Sequence, residues 1–326
     1  MEALTIIVLA LLAISAATTL GSRLGIAAPL LLTLAGIVVS LLPISDAVHV
    51  EPEWILAGVL PPLLYSAAVS VPAMEFRRDF TTIGGLSVVL VVISSVLLGL
   101  LFSWLVPGLG IAGGIALGAI VSPTDAVVIS IVKRLGVSSR VVALLEGESL
   151  LNDATALVIL RSAIAGLAAS VSLWSVAGDF LYAVAIAVAF GVAVGWLNLR
   201  IRARIKDSTV NTIISFTLPF IASLPVEHLG GSGLVAAVVA GLITGNGASR
   251  FLSPRHRLSD SQNWRTIEMV LEGGVFLVMG LELTAITEDV FADRFGLSAA
   301  LGISTLAAVA TESSPNYATI ARCAPR

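Results

Sequence analysis

Residues 146–160 read EGESLLNDATALVIL. Three carboxylates, a serine and an asparagine stand within eight residues, yet VVALL precedes them and ATALVIL follows. On a helix, Glu148 and Asn152 are four apart, as are Ser149 and Asp153, so the pairs occupy neighbouring faces. What this polar group is for depends on what surrounds it, and the rest of the chain answers that.

The chain has 326 residues, of which 57% are hydrophobic and 12% charged, with a mean hydropathy of +1.02. Soluble domains carry about a quarter charged residues, so a soluble reading fails. A net charge of −3 gives no basic surface for nucleic acid, and one cysteine, Cys323, excludes an internal disulfide framework. Eleven apolar runs approach the ~20 residues needed to span a bilayer. They lie at 4–20, 26–42, 54–71, 82–105, 109–132, 141–169, 174–197, 209–224, 229–246, 266–286 and 295–312. The first opens Met1-Glu2 with no basic region before it, which favours an uncleaved helix over a signal peptide. The period-two alternation of an outer-membrane barrel is absent. The expectation is an all-α polytopic membrane protein.

Basic residues orient it. Odd-numbered loops and the tail hold 16 of the 18 Lys and Arg, from Arg23 through Arg200, Arg202, Arg204 and Lys206 to Arg326. The exceptions are Arg161, inside the sixth run, and Arg294, whereas the even loops are mostly acidic. The positive-inside rule then puts odd loops in the cytoplasm and the N-terminus outside, in a plasma membrane. Arg200, Arg202, Arg204 and Lys206 read as a solvated cytoplasmic patch near anionic lipid.

A charge inside a membrane costs about 2.5–3.5 kcal/mol on insertion scales, which makes intramembrane acids functional candidates. The sixth run offers a hydroxyl, an amide and carboxylates, the hard oxygen ligands that suit hard cations. The bland alternative is an acid paired with a helix-packing arginine, for which Arg161 is the candidate. A second island, GAIVSPTDAVVIS at 118–130, places Ser122, Pro123, Thr124 and Asp125 in the middle of the fifth run. Pro123 removes a backbone donor and breaks or kinks the helix. Freed backbone groups at membrane depth are tolerated where they line a cavity or site, and transporters build ion sites from interrupted helices. The plainer reading is a kink with Asp125 capping the next segment.

SPTDAVVIS followed about 20 residues later by EGESLLNDATALVIL closely resembles the monovalent cation/proton antiporters of the NhaP and eukaryotic sodium/proton exchanger branch. LPPLLYSAA at 60–68 and GGSGLVAAVVAGLITGN at 230–246 extend the resemblance. It implies a fold of two inverted repeats: the first over about 1–169, a linker helix at 174–197 and part of the second over 209–312, within one domain to 312, then a short polar tail, 313–326. It further implies that Asn152 and Asp153 bind ion and proton, joined by Ser149, Glu148, Thr124 and Asp125, with a sodium-type site at Asp153, Ser149 and Thr124. The Asn-Asp form implies electroneutral exchange of sodium or potassium for protons, and the family implies a homodimer. The chain departs from the pattern at Ser66, where many relatives carry an acid. It also ends before the second broken helix and the basic residue near the crossing, so a truncated chain is expected, with an open groove beside Asp125 and Asp153 and no exchange unless extended.

The mechanism that follows is competition. Burial raises a carboxylate's proton affinity, so Asp153 holds either a proton or a cation, and alternating access carries each across. No cofactor is required. An inactive remnant and a passive cation channel remain alternatives. So does an intramembrane protease on Gly230-Gly231-Ser232-Gly233, although His49, His228 and His256 all fall at run ends or in loops and the glycines read better as helix packing. Glu272 and Glu282 are pathway acids or rim residues.

Overall fold

The computed structural model describes residues 2–41, 51–71, 73–106, 108–123, 139–168 and 173–292. Helix α1 is Glu2–Leu24, α2 Ala28–Ser40, α3 Leu60–Ser70, α4 Ala73–Leu105 and α5 Gly110–Val121. Then come α6 Ser139–Ala168, α7 Leu173–Arg202, α8 Ser208–His228, α9 Gly233–Phe251 and α10 Pro254–Ala292. The described residues hold no strand. Helices satisfy every backbone group within the segment, which lipid demands. The first ten predicted spans each overlap one of these helices, and 295–312 lies outside the described residues. Among the described residues six helices are long and apolar enough to cross a membrane, and three apolar helices are shorter.

Local chemistry explains the breaks. Leu24 is followed by Gly25 at φ 72°, and the Ile26 amide donates to the Gly21 carbonyl at 3.1 Å, a Schellman ending. Pro29 then stands in the first turn of α2, where a missing N–H costs nothing. Before α3, Ile55–Val59 form a π-turn. Pro61 and Pro62 cannot donate to carbonyls four residues back, and the wider turn relieves their crowding against them.

The chain divides into two units. One joins the segment up to Leu63 with α10 from Leu258 onward. Its core is Ile14, Ala17 and Leu32 under Phe276. A Cβ on Gly36 would collide with the Leu277 carbonyl, and one on Gly280 with that of Thr33, so α2 and α10 meet backbone to backbone. A cavity of about 230 Å³ in this unit brings Glu272 beside Arg265, Glu268 and Thr18.

The other unit takes Leu64–Arg257. Within it α4, α5 and α6 pack on one another, as do α7, α8 and α9, and α6 and α9 join the two triplets. Small residues set the approach. Cβ atoms on Gly114 and Gly118 of α5 would strike the carbonyls of Gly99 and Ser95 on α4. On α7, Gly191 and Gly195 face Ala236 and Ala240 of α9, while Gly241 and Gly245 on another side of α9 face Tyr65 and Val69. Each is a Gly-x-x-x-Gly pair of the kind that lets helices close up in lipid.

Asp207 caps α8, its Oδ1 accepting from the Thr209 and Val210 amides at 2.7 and 3.0 Å. Those amides, aided by Arg255 and His256, hold the Asp207 carboxyl below its ordinary 3.8. A depressed carboxylate contributes stability above its unfolded value, and loses it as pH falls through the folded one. Asp207→Ala therefore lowers the melting temperature in detergent at pH 7. The gap to the parent narrows only below about pH 4, the ordinary carboxylate range. Asp207→Asn, which keeps a cap, loses less. An equal gap on both sides of that range would show that the carboxylate's charge has no part in the cap.

Candidate ion site on the sixth helix

The polar group of the opening stretch sits on α6, well inside the helix. Glu148 is 3% exposed and Asn152 1%; Ser149 is buried and Asp153 half-buried. At about 100° per residue, Glu148, Asn152, Ser149 and Asp153 fall within an arc of roughly 140°. Asn152 Nδ2 donates to Glu148 Oε1 at 3.4 Å, the four-residue pairing expected from spacing. Thr155, just outside the arc, turns its hydroxyl to the Leu151 carbonyl at 2.7 Å, the way a membrane helix satisfies a hydroxyl from its own backbone.

The fifth helix stops at Val121. The Ser122 amide still donates to Gly118 at 3.0 Å, but the chain leaves the helix at Ser122 and Pro123. The Ser122 hydroxyl bonds to that of Ser94 and lies 3.4 Å from the Val91 carbonyl, which fixes the broken end against α4. Thr124 and Asp125 lie outside the described residues, and with them the Thr124 part of the sodium-type site. Among the described residues no three His, Cys, Asp or Glu side chains converge as a metal site. Ser66, where the resemblance implies an acid, is buried on α3.

Arg161 does not serve the acids of this arc. It stands two turns on from Asp153, and both its Nη atoms reach Glu227 Oε1 of α8 at 3.1 Å in a part-exposed pair. The groove expected beside Asp125 and Asp153 involves Asp125, which lies outside the described residues. A cavity of about 730 Å³ does run along α6, but its α6 lining is Leu151, Ala154, Thr155 and Val158. That face is centred roughly 140° around the helix from the polar arc.

Gly230 to Gly233 form a turn. Gly230 has φ 75°, Gly231 is wedged against Ile186 and Val226, and the Ser232 hydroxyl accepts from the Val235 amide at 3.4 Å. The serine caps α9, and His256 is engaged elsewhere.

One polar cluster runs against the sequence reading. Arg202, expected in a solvated patch, is 1% exposed. Its Nε donates to Asn211 Oδ1, and its Nη1 lies 3.4 Å from Ser215 Oγ. Asn211 Nδ2 donates to the Arg202 carbonyl at 3.1 Å and faces His256 Nδ1 at 3.2 Å. Because Asn211 Oδ1 is committed to arginine, the amide cannot flip. His256 Nδ1 is then the acceptor, and Nε2 carries the proton toward the Lys206 carbonyl at 3.2 Å. The signal in the sequence was the spacing: Asn198 and Arg202 continue the seam begun by Gly191 and Gly195, and seam positions are buried. Asn198 Nδ2 accordingly bonds to Thr244 of α9 at 3.3 Å.

Relatives agree with this architecture. The sodium/hydrogen exchanger transmembrane family profile matches residues 7–316. An uncharacterised Na(+)/H(+) exchanger of Escherichia coli, YjcE, is 37% identical over 252 residues, covering 74% of this chain and 46% of its own. The Na(+)/H(+) antiporter ApNhaP of Aphanothece halophytica is 33% identical, over 77% of this chain and 49% of its own. The chain thus spans about half the length of the curated relatives it matches. The solved structure of the sodium proton antiporter MjNhaP1 from Methanocaldococcus jannaschii shares the fold with a TM-score of 0.77 at 22% identity, over 94% of this chain and 76% of the other. A helical membrane protein with this profile match and these relatives belongs to the transmembrane sodium/hydrogen exchanger family.

Proposed function

We propose that the protein carrying this chain exchanges sodium or potassium for protons, electroneutrally, with Asp153 binding the two in alternation. The observation that carries the reading is the arc on α6: two carboxylates, an amide and a hydroxyl on one sector of a buried helix. Asn152 and Glu148 hold each other, which fixes the amide oxygen and the carboxylate beside Asp153. Ser149 adds a neutral oxygen, and Thr124 and Asp125 supply the rest of the coordination from beyond the break at Pro123. Exchangers by name among the relatives support the class of reaction, and one from Bacillus subtilis is named a sodium, potassium, lithium and rubidium/H(+) antiporter. Location in the plasma membrane with the N-terminus outside, and pairing of two copies, belong to the same proposal.

If one carboxylate carries both ions, protons and cation exclude each other. The apparent cation constant for exchange in proteoliposomes, measured over roughly pH 6 to 8.5, then rises as pH falls, as competition for one shared carboxylate requires. A cation constant that stays flat over that range while the maximal rate changes would assign proton and cation to different groups.

A further inference from the structure

Beyond one end of the 730 Å³ cavity in the second unit stand aromatic and basic residues. Its α7 wall is Phe180, Val184, Val188 and Val192, every fourth residue. The same spacing leads on to Trp196 and Arg200, each step turning about 40° further round the helix. Its α9 wall ends at Asn246, and Arg250 follows four residues on, with Phe251 beside it. The Arg200 guanidinium lies 4.5 Å from the Trp196 ring centroid and 5.9 Å from that of Phe251, so the two helix ends meet in a cation–π cluster. Trp196 is 51% exposed, and Arg200, Arg204, Lys206 and Arg250 are exposed around it.

We propose that this trough and its basic collar bind an anionic phospholipid, one acyl chain along the valine stripe and the phosphate between Arg200 and Arg250. Length fits: Phe180 to Val192 rises about 18 Å, against roughly 15 Å for one leaflet of the hydrocarbon core. Polarity fits as well. Thr155 and Asn246 are the polar side chains lining the trough, which gives a soluble anion or a metal ion nothing to hold. Charge selects the headgroup. Between 196 and 257 the sequence has seven Lys and Arg but two acids, of which Asp207 is spent on capping α8 and Glu227 on Arg161. Stacking on Trp196 occupies the face of the Arg200 guanidinium and leaves its N–H edge for a phosphate. The inference is independent of which ions the protein carries.

The test is lipid retention by the purified protein in native mass spectrometry, with phosphatidylglycerol and phosphatidylcholine of identical acyl chains. Quenching of Trp196 fluorescence by acyl-brominated lipid, read as the difference from Trp196→Phe, provides a second readout. The parent should prefer the anionic lipid. Arg200→Gln and Arg250→Gln should each reduce that preference about fivefold, and Val188→Trp, which fills the trough, should lower retention of both lipids. Circular dichroism and gel filtration verify that each variant is folded; if Val188→Trp is not, Val188→Phe takes its place. Equal retention of the two lipids by the parent would overturn the proposal. So would a preference unchanged in the Arg200→Gln/Arg250→Gln double variant, or competition by inorganic phosphate as strong as by lipid. Retention of neither lipid would assign the trough to a further protein segment instead.

Discussion

Asp153→Asn is expected to abolish the proposed cation/proton exchange in proteoliposomes of the protein carrying this chain, bringing the rate to that of protein-free vesicles, while membrane insertion and α-helical content stay as in the parent. Asparagine is nearly isosteric with aspartate, so the packing of α6 against α4 and α5 is kept. On the proposed alternation, what disappears is the group that binds a proton and releases it, and without that no cycle returns. Ser149→Ala removes one neutral oxygen and is expected to weaken the cation constant with exchange retained. The contrast separates the carrier of charge from a ligand. Exchange at the parental rate in Asp153→Asn vesicles would sink the assignment and move attention to Glu148, the buried carboxylate of the same arc.

Asn211→Leu is expected to cost about 3 kcal/mol or more of stability, the range for removing one partner from a buried charged network. Asn211 accepts from Arg202 Nε, donates to the Arg202 carbonyl and donates to His256 Nδ1. Leucine has the right bulk but none of these bonds, and it leaves a buried guanidinium without that acceptor. Unfolding titrated with a denaturing detergent measures the loss. The double variant Arg202→Met/Asn211→Leu should recover much of it, because removing both partners of a buried ionic contact is far milder than removing one. A loss under about 1 kcal/mol for Asn211→Leu, the scale of an exposed pair, would show that Arg202 is held by other groups.

The helical membrane class was legible from length and composition alone, since 57% apolar residues in runs of twenty leave few other folds. The polar arc was legible because four-residue spacing on a helix maps directly onto one face, and Glu148 and Asn152 do meet. Other features depended on which way a helix turns in its bundle, which spacing does not specify. Arg202 counted as one more loop cation, although it lies on the glycine seam of α7 and is therefore drawn inward. Arg161 was the candidate for a plain structural pair with those acids because it shares α6 with them, but its rotation and height lead it to Glu227 on α8. The groove was expected beside Asp125 and Asp153, and Asp125 lies outside the described residues; the cavity that is described along α6 lies on another face of that helix.

The glycine contacts also set the grain of the machine. Where α4 meets α5 at Gly99, Gly114 and Gly118, and α7 meets α9 at Gly191 and Gly195, main chain lies against main chain or against the stiff β-branched Ile115, Val239 and Ile243. Such joints have few flexible side chains to act as bearings, because sliding one helix past the other would drive carbonyl oxygens into Cα atoms. Each pair is close-packed at its crossing. On the exchange proposed above, the working stroke falls to the seams dressed with longer side chains: a disulfide engineered across a valine-lined seam should halt turnover, whereas any side chain added at Gly118 would instead break its joint with the Ser95 carbonyl.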